Sequence, residues 1–145
     1  MNLKQLLDFK PLGDARGQLF SIEGNQNIPF DIKRVYYMFG MDSALPRGFH
    51  AHKELQQVAI CMKGNCRMLL DNGKVKEEIT LERSDFGIVI DELIWHEMHD
   101  FSDDCILMVI ASDYYDEDDY IRDYDEFLKT VNENKLHEKN NSRKI

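Results

Sequence analysis

Cys66-Arg67-Met68-Leu69-Leu70-Asp71-Asn72-Gly73-Lys74-Val75-Lys76-Glu77-Glu78-Ile79-Thr80-Leu81 is the stretch that decides the fold. Two runs of apolar and β-branched residues flank Asn72-Gly73, the dipeptide favoured in two-residue type I′ turns because both central positions there need a positive φ. The reading is a β-hairpin with arms over 66–71 and 75–81. Outward from it, RVYYMF (34–39), QVAICMKG (57–64), FGIVI (86–90) and CILMVIA (105–111) repeat the pattern of short strands divided by turn residues. From about residue 18 to residue 111 the chain therefore reads as all-β. Short strands at regular spacing predict two sheets wrapped into a jelly-roll barrel, which leaves few strand edges open.

Beyond Ala111 the pattern changes. Asp116, Glu117, Asp118 and Asp119 precede Tyr120, Ile121, Tyr124, Phe127 and Leu128 at helical spacing, with Lys129 near the far end. Acidic residues in a first turn complement the helix dipole, so a helix over 116–130 is predicted, with the acidic cluster capping it rather than binding metal. Residues 132–145 are polar and aperiodic and are expected to be frayed or disordered, leaving one domain over 1–131.

A chain of 145 residues that is 43% hydrophobic and 31% charged suits one domain with a true core. No stretch approaches the roughly 20 apolar residues of a membrane span. The start, MNLKQLLDFK, lacks an apolar block followed by a small-residue cleavage site, so a cytoplasmic location without membrane contact is expected. A net charge of −9 opposes binding to phosphate backbones and argues against nucleic acid. A few arginines converging in one cleft can still bind an anionic small molecule. Cys61, Cys66 and Cys105 are odd in number, lack Cys-x-x-Cys spacing and lie in apolar runs, which predicts reduced core residues.

The chemistry concentrates in Arg47-Gly48-Phe49-His50-Ala51-His52. In a strand, residues i and i+2 share a face, so the two imidazoles point the same way. Each can act as a base or bind metal, since an unperturbed histidine has a pKa of about 6.5. With His96 they could form the three-ligand set of an open catalytic metal site. Alternation over 34–39 puts Arg34, Tyr36 and Met38 on one side and Val35, Tyr37 and Phe39 on the other, so one tyrosine of the pair faces the interior. Arg16 and Arg47 are candidates for pairing two oxygens of a diphosphate.

Gly40, His50-Ala51-His52, Gln57 and Gly64 together resemble the first motif of the cupin superfamily, with Gln57 (Gln56 if the register slips by one) in place of the usual glutamate. Gly87 and Trp95-His96 are what remains of the second motif. A neutral amide is a poor ligand for a hard divalent cation, so this departure favours a metal-free site in which the histidines move protons.

The longer blocks DARGQLFSIE, IKRVYYMFG, RGFHAHKELQQ and IWHEMHDFSDDCILMVIASDYYDEDDYIRDYDEF resemble the dTDP-4-oxo-6-deoxyglucose 3,4-ketoisomerases over about residues 3–128. These are small cupin enzymes that prepare deoxyamino sugars for bacterial surface polysaccharides such as lipopolysaccharide O-antigen. The resemblance implies an all-β, cupin-type double-stranded β-helix with a short C-terminal helix. It implies conversion of dTDP-4-keto-6-deoxy-D-glucose to the 3-keto isomer through an enediol, without metal or other cofactor. His50, His52 and Tyr36 are the implied catalytic residues, with His50 the first choice of base and the Tyr36 phenol beside it. Arg16, Arg34, Arg47, Gln57 and His96 are the implied substrate contacts, and Arg16 with His96 resembles the members that give a galacto-configured product. A homodimer that exchanges N-terminal strands is implied as well, and an aminotransferase as consumer of the product. A dTDP-4-keto sugar 3,5-epimerase, a non-catalytic sugar-nucleotide-binding cupin and a metal-dependent enzyme stand as alternatives.

Overall fold

Two kinds of strand follow from two kinds of burial. QVAICMK and FGIVI carry unbroken apolar runs, the pattern of strands covered on both faces; CRMLLD alternates, the pattern of a strand with one face toward the core. In the computed structural model, which describes residues 3–144, these become strands of two five-stranded antiparallel sheets. The elements are β1 (Gln5–Asp8), β2 (Arg34–Met38), β3 (Arg47–His52), β4 (Gln57–Lys63), β5 (Cys66–Asp71), β6 (Lys76–Leu81), β7 (Phe86–Ile90), β8 (Trp95–His99), β9 (Ile106–Ala111), β10 (Tyr120–Ile121) and the helix α1 (Tyr124–Ser142). One sheet has the order β1-β7-β4-β9-β2 and the other β10-β3-β8-β5-β6.

Between the sheets, Ala59, Ile88, Ile90, Leu107 and Val109 of the first meet Met68, Leu70 and Met98 of the second. The intervening Val58, Ile60, Val89 and Ile110 point outward, where Phe9, Ile28 and Phe30 from the long β1–β2 connection cover them. That explains why β4 and β7 read as continuous runs. Full burial of each such aliphatic side chain contributes about 1.5–3 kcal/mol. On the second sheet's outer face, Phe127 and Val131 of α1 pack on Ala51, Trp95 and Ile121.

The hairpin over 66–81 is present with arms β5 and β6, but its turn is displaced by one residue. Asn72 N–H donates to the Val75 carbonyl, and Gly73 and Lys74 form the loop. Only Gly73, at φ 90°, is positive. A single positive φ at the first loop position is the requirement of type II′ rather than I′. Asn72 acts as an acceptor instead, its side-chain oxygen taking the N–H groups of Lys74 and Val75.

The predicted helix over 116–130 divides into three pieces. Asp116 caps a single 3-10 turn (Glu117–Asp119), Tyr120 and Ile121 then pair with His52 and Ala51 of β3, and α1 begins after a second cap, Asp123, whose side chain accepts from Glu126 N–H. Sheet pairing at Tyr120 and Ile121 overrides the local helical period. The stretch from Asn132, expected to be frayed, continues α1 to Ser142. Once Phe127 and Val131 anchor the first turns, propagation through good helix formers such as Glu133, Lys135, Leu136 and Glu138 is easy compared with nucleation. β1, which the alternation pattern did not single out, pairs with β7 along the sheet edge. The last expected tail residue, Ile145, lies outside the described residues.

Candidate active site

Gly48 and the bulge it creates place the first histidine. Pairing of β3 with β8 shifts register between Gly48 and His50, and Gly48 (φ 91°) and Phe49 (φ 60°) both take left-handed backbone. A Cβ on Gly48 would sit 2.8 Å from the His96 carbonyl oxygen, so only glycine lets the strands approach there. The bulge sets His50 opposite His96 in register. Their rings lie 4.5 Å apart; His52 lies 5.0 Å from His50 and 6.0 Å from His96.

Each imidazole is held by its outer nitrogen. Nδ1 of His50 lies 3.1 Å from the Gly48 carbonyl and Nδ1 of His96 lies 3.2 Å from the Ile94 carbonyl. A carbonyl oxygen only accepts, so both Nδ1 atoms carry the proton and both Nε2 atoms keep a free lone pair. His52 repeats the arrangement with a carboxylate: Nδ1 lies 3.1 Å from Asp119 Oδ2, and its buried Nε2 has no partner. One ring nitrogen from each of the three lies within 4.8 Å of the others. Burial lowers all three pKa values and keeps the rings neutral, with His52 brought to about 4 and His96 to about 3.

Tyr36 stands on the neighbouring sheet. Gln57 Nε2 donates to its hydroxyl oxygen at 2.7 Å, which leaves the phenolic proton free to be given elsewhere. Burial pushes its pKa up to about 12, so the phenol stays protonated. Arg34 lies 5.2 Å over the Tyr36 ring, and its buried Nε is unpartnered.

Arg34, Tyr36, Arg47, His50 and His96 open together on a cavity of about 420 Å³, joined by Tyr115, Tyr120 and Arg122. Arg122 lies 4.2 Å over the Tyr120 ring and bonds Glu117, whose carboxyl Arg122 and Tyr115 hold down at about 2. Three guanidinium groups at one mouth suit an anion such as a diphosphate. Three inward-facing nitrogens could also bracket a divalent cation. The position that would complete such a set is Gln57, engaged with Tyr36, and the positive charges of Arg122 and Arg34 that disfavour protonation of His50 and His52 equally disfavour a cation there.

Five of the residues singled out by sequence therefore line one cavity, and three do not. His52, 2% exposed, stands behind His50 as part of the ring cluster. Gln57, expected to touch substrate, is 1% exposed and acts through Tyr36. Tyr36 has Gln57 rather than His50 as its hydrogen-bonded neighbour. Arg16 is 90% exposed, paired with Asp14 in a turn that closes between Asp14 and Gly17, away from the cavity-lining set of its own chain. Sequence reasoning missed Tyr115, Asp119, Tyr120 and Arg122. Their signal was the density of acidic and aromatic residues over 113–124, absorbed by the reading of a helix.

A two-sheet barrel with neutral imidazoles beneath an arginine-rimmed mouth defines a cupin-type protein equipped for proton transfer on an anionic ligand. The chain belongs to the family described as FdtA (WxcM-like, C-terminal), which matches residues 1–132. It is 55% identical over 127 residues to the TDP-4-oxo-6-deoxy-alpha-D-glucose-3,4-oxoisomerase of Aneurinibacillus thermoaerophilus, covering 88% of this chain and 91% of that protein. A 3,4-ketoisomerase from Helicobacter canadensis superposes with a TM-score of 0.86 at 47% identity, over 88% of this chain and 96% of the other. A histidine-to-asparagine variant of the 3,4-ketoisomerase QdtA from Thermoanaerobacterium thermosaccharolyticum, in complex with TDP-4-keto-6-deoxyglucose, gives 0.88 at 42% identity, over 92% and 96%. The RmlC epimerase of Mycobacterium tuberculosis, at 15% identity with a TM-score of 0.67 over 79% of this chain and 66% of the other, shares the fold.

Proposed function

We propose that this chain is a 3,4-ketoisomerase that converts dTDP-4-keto-6-deoxy-D-glucose to the dTDP-linked 3-keto-6-deoxyhexose. The observation that carries the reading is His50: its Nδ1–H is tied to a backbone carbonyl, so a basic Nε2 is left at a cavity that also holds a free phenol proton and three guanidinium groups. The family and the named activities of the relatives support the same substrate class.

In this mechanism Arg34, Arg47 and Arg122 bind the diphosphate and bring the sugar over the imidazoles. His50 Nε2 takes the proton from carbon 3, and the C–H electrons form the double bond to carbon 4. The carbonyl oxygen at carbon 4 takes the phenolic proton of Tyr36, while the neighbouring donors stabilise the developing charge. In the resulting enediol, the hydroxyl at carbon 3 gives its proton to the Tyr36 phenolate and becomes the carbonyl, and carbon 4 takes a proton back from His50. One hydrogen has moved from carbon to carbon and one from oxygen to oxygen. No metal or other cofactor is needed for that balance. The same reading assigns the protein to the cytoplasm and to deoxyamino sugars of surface polysaccharide, with an aminotransferase consuming the ketone.

The finer parts concern assembly and stereochemistry. β1 is an edge strand of only four residues, and edge strand β2 exposes Val35 and Tyr37, with the exposed Phe39 just beyond its end. Both features suit a homodimer that exchanges N-terminal strands, from which Arg16 of a second copy would join His96 in setting a galacto configuration. Light scattering should give twice the chain mass.

The test of the reaction is incubation of purified protein with dTDP-4-keto-6-deoxyglucose in deuterated water, followed by NMR. A carbonyl at carbon 3 with activity unchanged by chelator is expected. A carbonyl retained at carbon 4 with deuterium at carbons 3 and 5 would make the protein an epimerase. Binding without turnover would make it a non-catalytic cupin, and chelator-sensitive activity with stoichiometric metal would remove the metal-free mechanism.

A further inference from the structure

His52 is more thoroughly fixed than a second base needs to be. It is 2% exposed, yet its Nε2 is unpartnered, and one of its ring nitrogens lies within 4.8 Å of a ring nitrogen of both His50 and His96. Its outer nitrogen meets a carboxylate that is itself immobilised: Asp119 Oδ1 accepts the Glu54 N–H at 2.9 Å, and Oδ2 accepts the Leu55 N–H at 3.3 Å besides the His52 Nδ1–H at 3.1 Å. Asp119 is also tied through its own carbonyl to the Lys53 N–H. An acceptor locked in this way selects one tautomer of the ring and one ring orientation.

We propose that Asp119 is a positioning residue for the isomerisation: by holding the Nδ1–H of His52 it turns the Nε2 lone pair, the negative end of that imidazole's dipole, toward His50 and the cavity. The inference rests on the isomerase reading above, with His50 as the base. When His50 takes the carbon-bound proton it becomes an imidazolium in a buried site. A fixed dipole with its negative end toward that charge, backed by a carboxylate on the far side, stabilises the intermediate without reorganisation. The reversed tautomer would direct an N–H at the same cation and oppose it. Of the other groups facing His50, His96 presents the same tautomer but has a backbone carbonyl rather than a carboxylate behind it, the tilted Tyr120 ring lies 4.9 Å from that of His50, and Arg122 and Glu117 are paired with each other. Around His52 the remaining neighbours are His50, His96, Tyr120 and the charge of Arg34.

The experiment begins with the wild-type protein. ¹⁵N NMR of selectively labelled histidine should show His52 as the Nδ1–H tautomer at neutral pH; the Nε2–H tautomer would overturn the proposal whatever the variants do. Asp119→Asn keeps an oxygen for the Glu54 N–H but lets the amide donate to Nδ1 and invert the ring's tautomer. Relative to wild type, kcat should fall roughly 100-fold with KM changed less than about threefold. The acid limb of the kcat/KM profile should move to lower pH, because the His50 imidazolium has lost its support. Asp119→Glu should recover part of kcat, whereas a loss caused only by disturbed packing would not depend on the carboxylate. Retention of wild-type kcat and pH profile by Asp119→Asn, with His52 in the inverted tautomer, would also overturn the proposal. Failure of wild-type protein to isomerise the sugar would instead remove the reaction reading, since the tautomer measurement does not depend on turnover.

Discussion

The barrel buries two triads of titratable side chains, and they differ in what each leaves unused. His50, His52 and His96 lie at one end, on β3 and β8, and Cys61, Cys66 and Cys105 lie toward the other, on β4, on β5 and just before β9. Cys61 is four residues beyond Gln57 on β4, and Cys66 four before Leu70, the register partner of His96, which is a separation of roughly 13 Å along each strand. The cysteines are 1–2% exposed. Cys61 lies 3.9 Å from Cys105 and contacts the carbonyls of Lys63 and Gly64, so the thiols engage their weak bonding capacity with each other and with backbone. The histidines engage one nitrogen in structure and keep the other free. Burial makes a titratable group unusual; a free lone pair facing an opening is what makes it available for chemistry.

The comparison breaks most visibly at His50. His50→Asn removes the free Nε2 while retaining side-chain polarity, and isomerisation should fall by about 10³-fold or more while dTDP binding stays within a few-fold of wild type. Activity within tenfold of wild type would take His50 out of the mechanism. Tyr36→Phe removes the phenolic proton and leaves Gln57 without its acceptor. A loss in kcat of roughly 100-fold is expected, the scale of deleting one oxyanion donor, with a small change in KM. An unchanged kcat would show that Tyr36 only fills space.

The free nitrogens also predict how stability depends on pH. In the unfolded chain a histidine titrates near 6.5, whereas folding lowers the pKa of His50 and brings His52 to about 4 and His96 to about 3. Between these limits the unfolded state binds more protons than the native state, so stability is complete above about pH 6.5 and declines as pH falls through the folded values. Glu117, a carboxylate held at about 2, acts in the same direction but begins only near its ordinary value of 4.5. The window from about pH 4.5 to 6.5 therefore reports on the imidazoles. Urea midpoints should fall steadily as pH is lowered across it, and a flat or rising midpoint would mean that the rings are protonated in the native state.

Much of this was legible in the sequence, for reasons that also mark its limits. The period-2 alternation of 34–39 correctly put Arg34 and Tyr36 on one face and Tyr37 on the other, because a strand's side-chain direction is set by the backbone alone. The His50-Ala51-His52 spacing gave the shared face in the same way. Residues 116–123 were misread because their helical spacing is real, and only pairing of Tyr120 with His52 across the chain cancels it. Asp119 and Arg122 were hidden with them. Gln57 was identified as the departure from the cupin motif, but its action through Tyr36 depends on a contact between β4 and β2, strands that flank β9 in the same sheet. Spacing carries directions along one strand; it does not carry the partner on another.

The smallest expected effect tests the cysteine side of the comparison. Cys105 is 2% exposed and burial raises its thiol pKa to about 12, so it is protonated and behaves as a small hydrophobe whose sulfur fills space beside Cys61. Cys105→Ala removes one heavy atom and opens a void of about methyl size, costing about 1 kcal/mol, or about 3 °C in Tm for a chain of this length. None of that loss reaches the imidazoles, since Cys105 precedes β9 and faces the far end of the core, so kcat should stay within about twofold of wild type. A variant that kept its fold but lost tenfold or more in kcat would mean that the thiol cluster communicates with the catalytic end. The distinction between engaged and free groups would then have to give way to one based on the rigidity of the whole barrel.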